Sequence, residues 1–136
     1  LGYDHEGRER HVVQDRQMLS NVISNLVNNA IKYSPNDSPI QLRTRIVNGV
    51  LHLEVKDQGM GIPEEDQEHL FERFFRASNV VNVQGTGLGL NIVRKYLDLM
   101  HGRISFRSRA GEGTTFTVVL PIHIRIDLPP TEDIQP

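Results

Sequence analysis

The sequence predicts an α+β fold, with helices packed on one face of a mixed sheet. Three observations carry that prediction. Apolar residues recur at helical spacing from Met18 to Ile31. Two stretches of alternating apolar and polar residues meet at Asn48-Gly49, the strongest short hairpin signal. A second amphipathic helix over 88–100 then leads into a further pair of strands. Strands interrupted by helices, with antiparallel hairpins, suit two layers around one core.

Taken in order, Leu1 to His5 and His11 to Val13 read as short strands around the polar turn EGRER. Asp15 is placed to cap the first helix, because a carboxylate there accepts from free first-turn amides. The apolar face of that helix is Met18, Leu19, Val22, Ile23, Leu26, Ala30 and Ile31. Ser34-Pro35-Asn36-Asp37 stops it by turn chemistry. Ile40 to Val47 and Leu51 to Val55 form the hairpin.

Pro63 followed by acidic residues starts a short helix, expected to carry Leu70 and Phe71 and to end near Arg76. Ala77 to Gly87 lacks periodicity and reads as a mobile loop. Leu90, Ile92, Val93, Tyr96, Leu97 and Met100 line the next helix, with Gly102 as its C-terminal cap. Arg103 to Arg107 and Thr114 to Leu120 are the final strands. Residues 1–121 read as one domain. Residues 122–136, rich in proline and acid, read as a tail or linker, although Ile122 to Ile126 has strand character.

Composition narrows the function. A chain of 136 residues, 38% hydrophobic and 24% charged, has the make-up of a single soluble globule. A net charge of −2 gives no basic footprint, so no nucleic-acid partner is expected. The absence of cysteine excludes disulfides and thiolate metal sites and suits a cytoplasmic setting. No apolar run approaches the roughly 18 residues of a membrane span, so no membrane contact is expected from this segment.

Four motifs carry chemistry. Asn25 and Asn29 share a helix face with Tyr33, and Lys32 lies beside them. Amide oxygens, a cation and an aromatic plate on one stripe suit a hard metal, phosphates and a base. Asp57-Gln58-Gly59-Met60-Gly61 follows a strand end. Its carboxylate can accept from an exocyclic amine, and its glycines permit close approach to a flat ring. Phe71-Glu72-Arg73-Phe74-Phe75-Arg76 holds more aromatics than one helix face buries. Gly85-Thr86-Gly87-Leu88-Gly89-Leu90 leads a loop into a helix, offering backbone N–H groups to an anion. It is neither a Walker A loop nor a Rossmann fingerprint.

In this order the four motifs resemble the N box, first glycine box, F box and second glycine box of sensor histidine kinases. The resemblance covers roughly residues 3 to 121. It extends to the nucleotide-binding domains of gyrase, MutL and the heat-shock-90 chaperones. It implies the two-layer α/β sandwich called the Bergerat fold: a mixed, mostly antiparallel sheet of about five strands with three helices on one face.

The resemblance also implies ATP and Mg²⁺ as ligands. Asn29 matches the metal-coordinating Asn, and Asn25 lines the same site. Lys32 and Arg76 match phosphate-contacting residues, so Asn29, Lys32 and Arg76 are the catalytic candidates. Tyr33 lies by the nucleotide. Asp57 matches the adenine acceptor, with Gly59, Gly61 and Ile62 about the ring. Gly85, Thr86, Gly87, Leu88 and Gly89 match the edge of the ATP lid.

An amide at Asn25, where gyrase-type enzymes carry a water-activating Glu, implies that the phosphoryl group is kept for a His acceptor. That His lies on a separate dimerisation domain, and a response regulator follows. His5-Glu6-Gly7-Arg8 imitates the acceptor motif but carries a helix-weakening glycine and no Thr-Pro. A hydrolysing ATPase and a domain that only binds nucleotide are the competing expectations. Asn25 argues against the first, and the presence of all four motifs argues against the second.

Overall fold

The computed structural model describes residues 2–6, 11–13, 16–35, 37–72 and 89–125. Its longest helix, α1 (Arg16–Tyr33), buries Val22, Leu26 and Ala30, an i, i+4, i+8 stripe. Met18, Leu19 and Ile23 flank the stripe and are partly buried. Ile31, expected on this face, is 55% exposed. It lies about 100° round the helix from Ala30, beyond the edge of the buried stripe.

The hairpin forms as expected from β3 (Gln41–Val47) and β4 (Val50–Asp57). Asn48 and Gly49 both take positive φ, 52° and 75°, the requirement of a two-residue turn that matches strand twist. Leu51, Leu53 and Val55 alternate inward from β4. Opposite them, β6 (Gly113–Pro121) contributes Phe116, Val118 and Leu120. Strand β5 (Arg103–Arg109) closes that side of the sheet as an edge strand.

The remaining edge is β1 (Gly2–Glu6), which runs parallel to β3. The five-stranded sheet is ordered β1-β3-β4-β6-β5, and every other neighbouring pair is antiparallel. It is therefore mixed and mostly antiparallel, as expected. Two sequence neighbours separate: β2 (His11–Val13) does not pair with β1. It pairs antiparallel with β7 (His123–Arg125), so the segment expected as tail begins with a strand.

Helix α2 (Glu64–Gln67) is one turn long, shorter than the expected helix to Arg76. After Gln67 the chain tightens into i→i+3 bonds: His69 N to Asp66 O at 3.1 Å and Glu72 N to His69 O at 3.0 Å. That tightening buries Leu70 and half-buries Phe71 without a continuing helix. Helix α3 (Gly89–Leu99) buries Val93 and Leu97 against α1 and the sheet. Helices α1 and α3, Leu70 and the buried strand residues share one core on one face of the sheet.

The end of α3 corrects a sequence reading. The left-handed residue is His101, with φ 61°, and not Gly102. Gly102 N bonds Leu97 O at 2.7 Å and His101 N bonds Asp98 O at 3.3 Å, the two bonds of a Schellman cap. Gly102 serves packing instead: a Cβ there would lie 2.9 Å from Leu120 Cβ and 3.2 Å from Leu97 Cδ2.

Candidate nucleotide site

Helix α1 links two polar clusters. Its stripe Asn25, Asn29 and Tyr33 covers two helical turns and more, about 12 Å along the axis. At the N-terminal end of the stripe, α3 begins against it. A Cβ built on Gly89 would lie 3.3 Å from Asn25 Oδ1 and 3.9 Å from Asn29 Oδ1. The two amide oxygens thus converge on one point beside the first turn of α3. Both Asn residues are half-buried. Lys32 is exposed, and its Nζ stands 5.9 Å from the centre of the Tyr33 ring.

The other cluster closes on Asp57. This carboxylate is 8% exposed. Its Oδ1 accepts from Gly59 N at 2.8 Å and Thr114 N at 3.2 Å. Burial raises its pKa above the ordinary value, and the two backbone bonds oppose that rise without cancelling it. Both bonds fall on one oxygen, so Oδ2 is the acceptor left to meet a ligand. Ser34 Oγ, just past the end of α1, is buried without a hydrogen-bond partner among the described residues.

The glycines of the Asp57 segment have a packing reason that sequence reading did not supply. A Cβ on Gly59 would sit 2.4 Å from Tyr33 O, the carbonyl that also accepts from Met60 N at 3.2 Å. Gly61 has φ 68°, and a Cβ there would fall 1.9 Å from Arg109 O. So the segment is wedged between the end of α1 and the turn joining β5 to β6. Ile62, expected at the ring, is buried. Its N–H bonds Ser108 Oγ at 2.8 Å.

Several residues outside the four motifs hold this cluster. Thr114 stands in register opposite Asp57, and its hydroxyl lies 2.8 Å from Ser108 Oγ. Gly113, φ 95°, brings its backbone against Asp57: a Cβ there would meet Asp57 O at 2.3 Å. Gln67 Nε2 donates to Ile62 O at 3.1 Å and Ser108 O at 3.0 Å. The pattern Gly-x-Gly-Thr-Thr at 111–115 carries the sequence signal for Gly113 and Thr114. Two polar residues opening an otherwise apolar-alternating strand need partners.

Phe71, first of the aromatic run, joins the core. Its ring lies 6.0 Å from that of Phe106, which lies 5.9 Å from that of Phe116. Asn91 Nδ2 holds its carbonyl at 3.1 Å, and the Arg94 guanidinium stands 5.4 Å from its ring centre. Arg76, Gly85, Thr86, Gly87 and Leu88, together with the expected cap Asp15 and the loop from Ala77, lie outside the described residues.

The donor set fits a magnesium ion that arrives with its nucleotide. Among the described residues no group of three or more His, Cys, Asp and Glu could cage a metal. Two amide oxygens make an incomplete shell of the kind that phosphate oxygens and water complete. Among the described residues no helix is long and apolar enough to cross a membrane.

Comparison with known proteins bears on the family and the fold. The sequence profile described as histidine kinase-, DNA gyrase B- and HSP90-like ATPase matches residues 14–124. The sensor-like histidine kinase SenX3 of Mycolicibacterium smegmatis is 42% identical over 112 residues. That alignment takes in 81% of this chain but only 29% of SenX3. The mycobacterial sensor histidine kinase MprB superposes with a TM-score of 0.78 at 29% identity, covering 91% of this chain and 85% of that one. The catalytic domain of the histidine kinase ThkA, in a nucleotide-free form, superposes with a TM-score of 0.75 at 32% identity. Coverage there is 88% of this chain and 76% of ThkA's.

Proposed function

The chain belongs to the histidine kinase-, DNA gyrase B- and HSP90-like ATPase family, and we propose that it is the ATP–Mg²⁺-binding catalytic domain of a two-component sensor histidine kinase. The chain spans less than a third of its SenX3 relative, which leaves room in such a protein for a separate dimerisation domain. In this reading that domain bears the acceptor His, and a response regulator takes the phosphoryl group onward.

One observation carries the reading. A single helix sets a buried carboxylate cluster at one end of its polar stripe and two convergent amide oxygens at the other. Asp57 Oδ2 accepts the exocyclic amine of adenine. Tyr33, Gly59, Gly61 and Ile62 border the ring. Asn25 and Asn29 face the phosphates, and Asn29 would hold a magnesium ion, which would neutralise phosphate charge. Lys32 contacts phosphate. Arg76, Gly85, Thr86, Gly87, Leu88 and Gly89 complete the phosphate side.

The chemistry then rests on positioning and charge. An imidazole nitrogen of the acceptor attacks the γ-phosphorus while the bond to the bridging oxygen breaks. The electron pair leaves with ADP, and the imidazole proton passes to solvent. Neither Asn25 nor Asn29 is a base at neutral pH, so water is poorly activated and the phosphoryl group waits for histidine.

Two measurements test this. Calorimetric titration with a non-hydrolysable ATP analogue should show binding that strengthens with Mg²⁺. Mixing the chain and radiolabelled ATP with a dimerisation domain carrying the His should label that domain. Rapid ATP turnover without the His partner would instead favour a hydrolase.

A further inference from the structure

We propose that Asn21 is a positioning residue for the phosphate side of the site, fixing which end of the Asn25 amide faces the metal. The proposal rests on the ATP–Mg²⁺ reading above. A primary amide turned by half a revolution exchanges oxygen for NH₂ with little change of shape. Only its partners decide which end points where.

Here one residue supplies the partners. Asn25 Nδ2 donates to Asn21 O at 2.9 Å and to Asn21 Oδ1 at 2.5 Å. An amide nitrogen has two hydrogens, and these two acceptors take both. Turned over, Asn25 would set its own oxygen against two other oxygens. Held as it is, it directs Oδ1 to the start of α3, where Asn29 Oδ1 also points. A magnesium ion or its bound water is met there by two acceptors, whereas an NH₂ group would repel it.

A carboxylate at 25 has no hydrogen to give the Asn21 backbone carbonyl. Asn21 itself is exposed, so the contact lies at the rim of the site and not in the core.

The test compares Asn21→Leu and Asn21→Asp with the wild-type 136-residue chain. Leucine removes the side-chain acceptor, whereas aspartate keeps it. Each protein is titrated with a non-hydrolysable ATP analogue in excess Mg²⁺ and in EDTA, and melted without ligand. The Leu variant should lose about three- to tenfold in affinity in Mg²⁺, the worth of one hydrogen bond, and little in EDTA. The Asp variant should retain wild-type affinity in Mg²⁺, and all three should melt alike. An Asn21→Leu profile identical to wild type in both conditions overturns the role of Asn21 alone. So does an equal loss with and without Mg²⁺, or an Asp variant as weak as the Leu variant. A wild-type chain that binds no nucleotide overturns the site reading and this inference together.

Discussion

The two ends of the α1 stripe are built by different means. At Asp57 the protein supplies its own partners: two backbone N–H groups, the paired Ser108 and Thr114 hydroxyls, and three glycines packed against backbone. At Asn25 and Asn29 the groups are half-buried, and the described partner is a rim residue on the same helix. One end is fixed before any ligand arrives, and the other presents oxygens that a ligand must complete. On the proposed reading, recognition of the base is preorganised by the sheet, whereas the chemistry at the phosphates depends on what is brought in.

The largest contrast should come from the same substitution made at both ends. Gly61→Ala forces a Cβ onto Arg109 O at a left-handed residue and should destabilise the chain by about 3 kcal/mol or more in urea melts. Gly89→Ala meets the flexible ends of Asn25 at 3.3 Å and Asn29 at 3.9 Å. It should melt within about 0.5 kcal/mol of wild type and weaken Mg²⁺-dependent nucleotide affinity only modestly. Equal destabilisation by the two would erase the proposed contrast.

Next in size, Asp57→Asn should lower nucleotide affinity about 10- to 100-fold by calorimetry, since an NH₂ group would face the adenine amine. Its melting temperature at neutral pH should hold or rise, because a buried charge is removed.

The pH response separates the two ends further. The pKa of Asp57 is raised by burial, so the folded chain holds this proton more tightly than the unfolded chain. Its contribution to stability is therefore fully present below the unfolded value of 3.8 and is lost as pH rises through the folded pKa. Nucleotide affinity runs the other way, weakening as acid protonates the acceptor. Melts and titrations from pH 7 downward should show Asp57→Asn lacking both responses.

The smallest effect serves as a control at neither end. His101→Gly relieves a left-handed residue and should stabilise by about 1 kcal/mol without changing nucleotide affinity.

What the sequence made legible was local. The Asn48-Gly49 turn fixes the hairpin through its own dihedral angles, and the stripe of α1 fixes which side is buried. Long-range pairing was not legible, since nothing in β1 or β2 names a partner as distant as β3 or β7. Helix α2 was overextended because acidic residues after proline signal a start, whereas its end depends on burying Leu70. Around Asp57 the glycines were read as room for a ligand ring, and protein carbonyls also require them. A glycine in a sequence reveals close approach and not what approaches. Asn21 repeats the i, i+4 spacing of Asn25 and Asn29 one turn earlier, so that signal lies in the sequence.

The edge strand β5 bears on how copies of this chain meet in solution. Arg103, Arg107 and Arg109 are all exposed along it, and Gln67 already occupies the Ser108 carbonyl. A second copy laid edge to edge would set guanidinium groups against one another and find that carbonyl taken. Continuation of the sheet from molecule to molecule is therefore disfavoured along this edge.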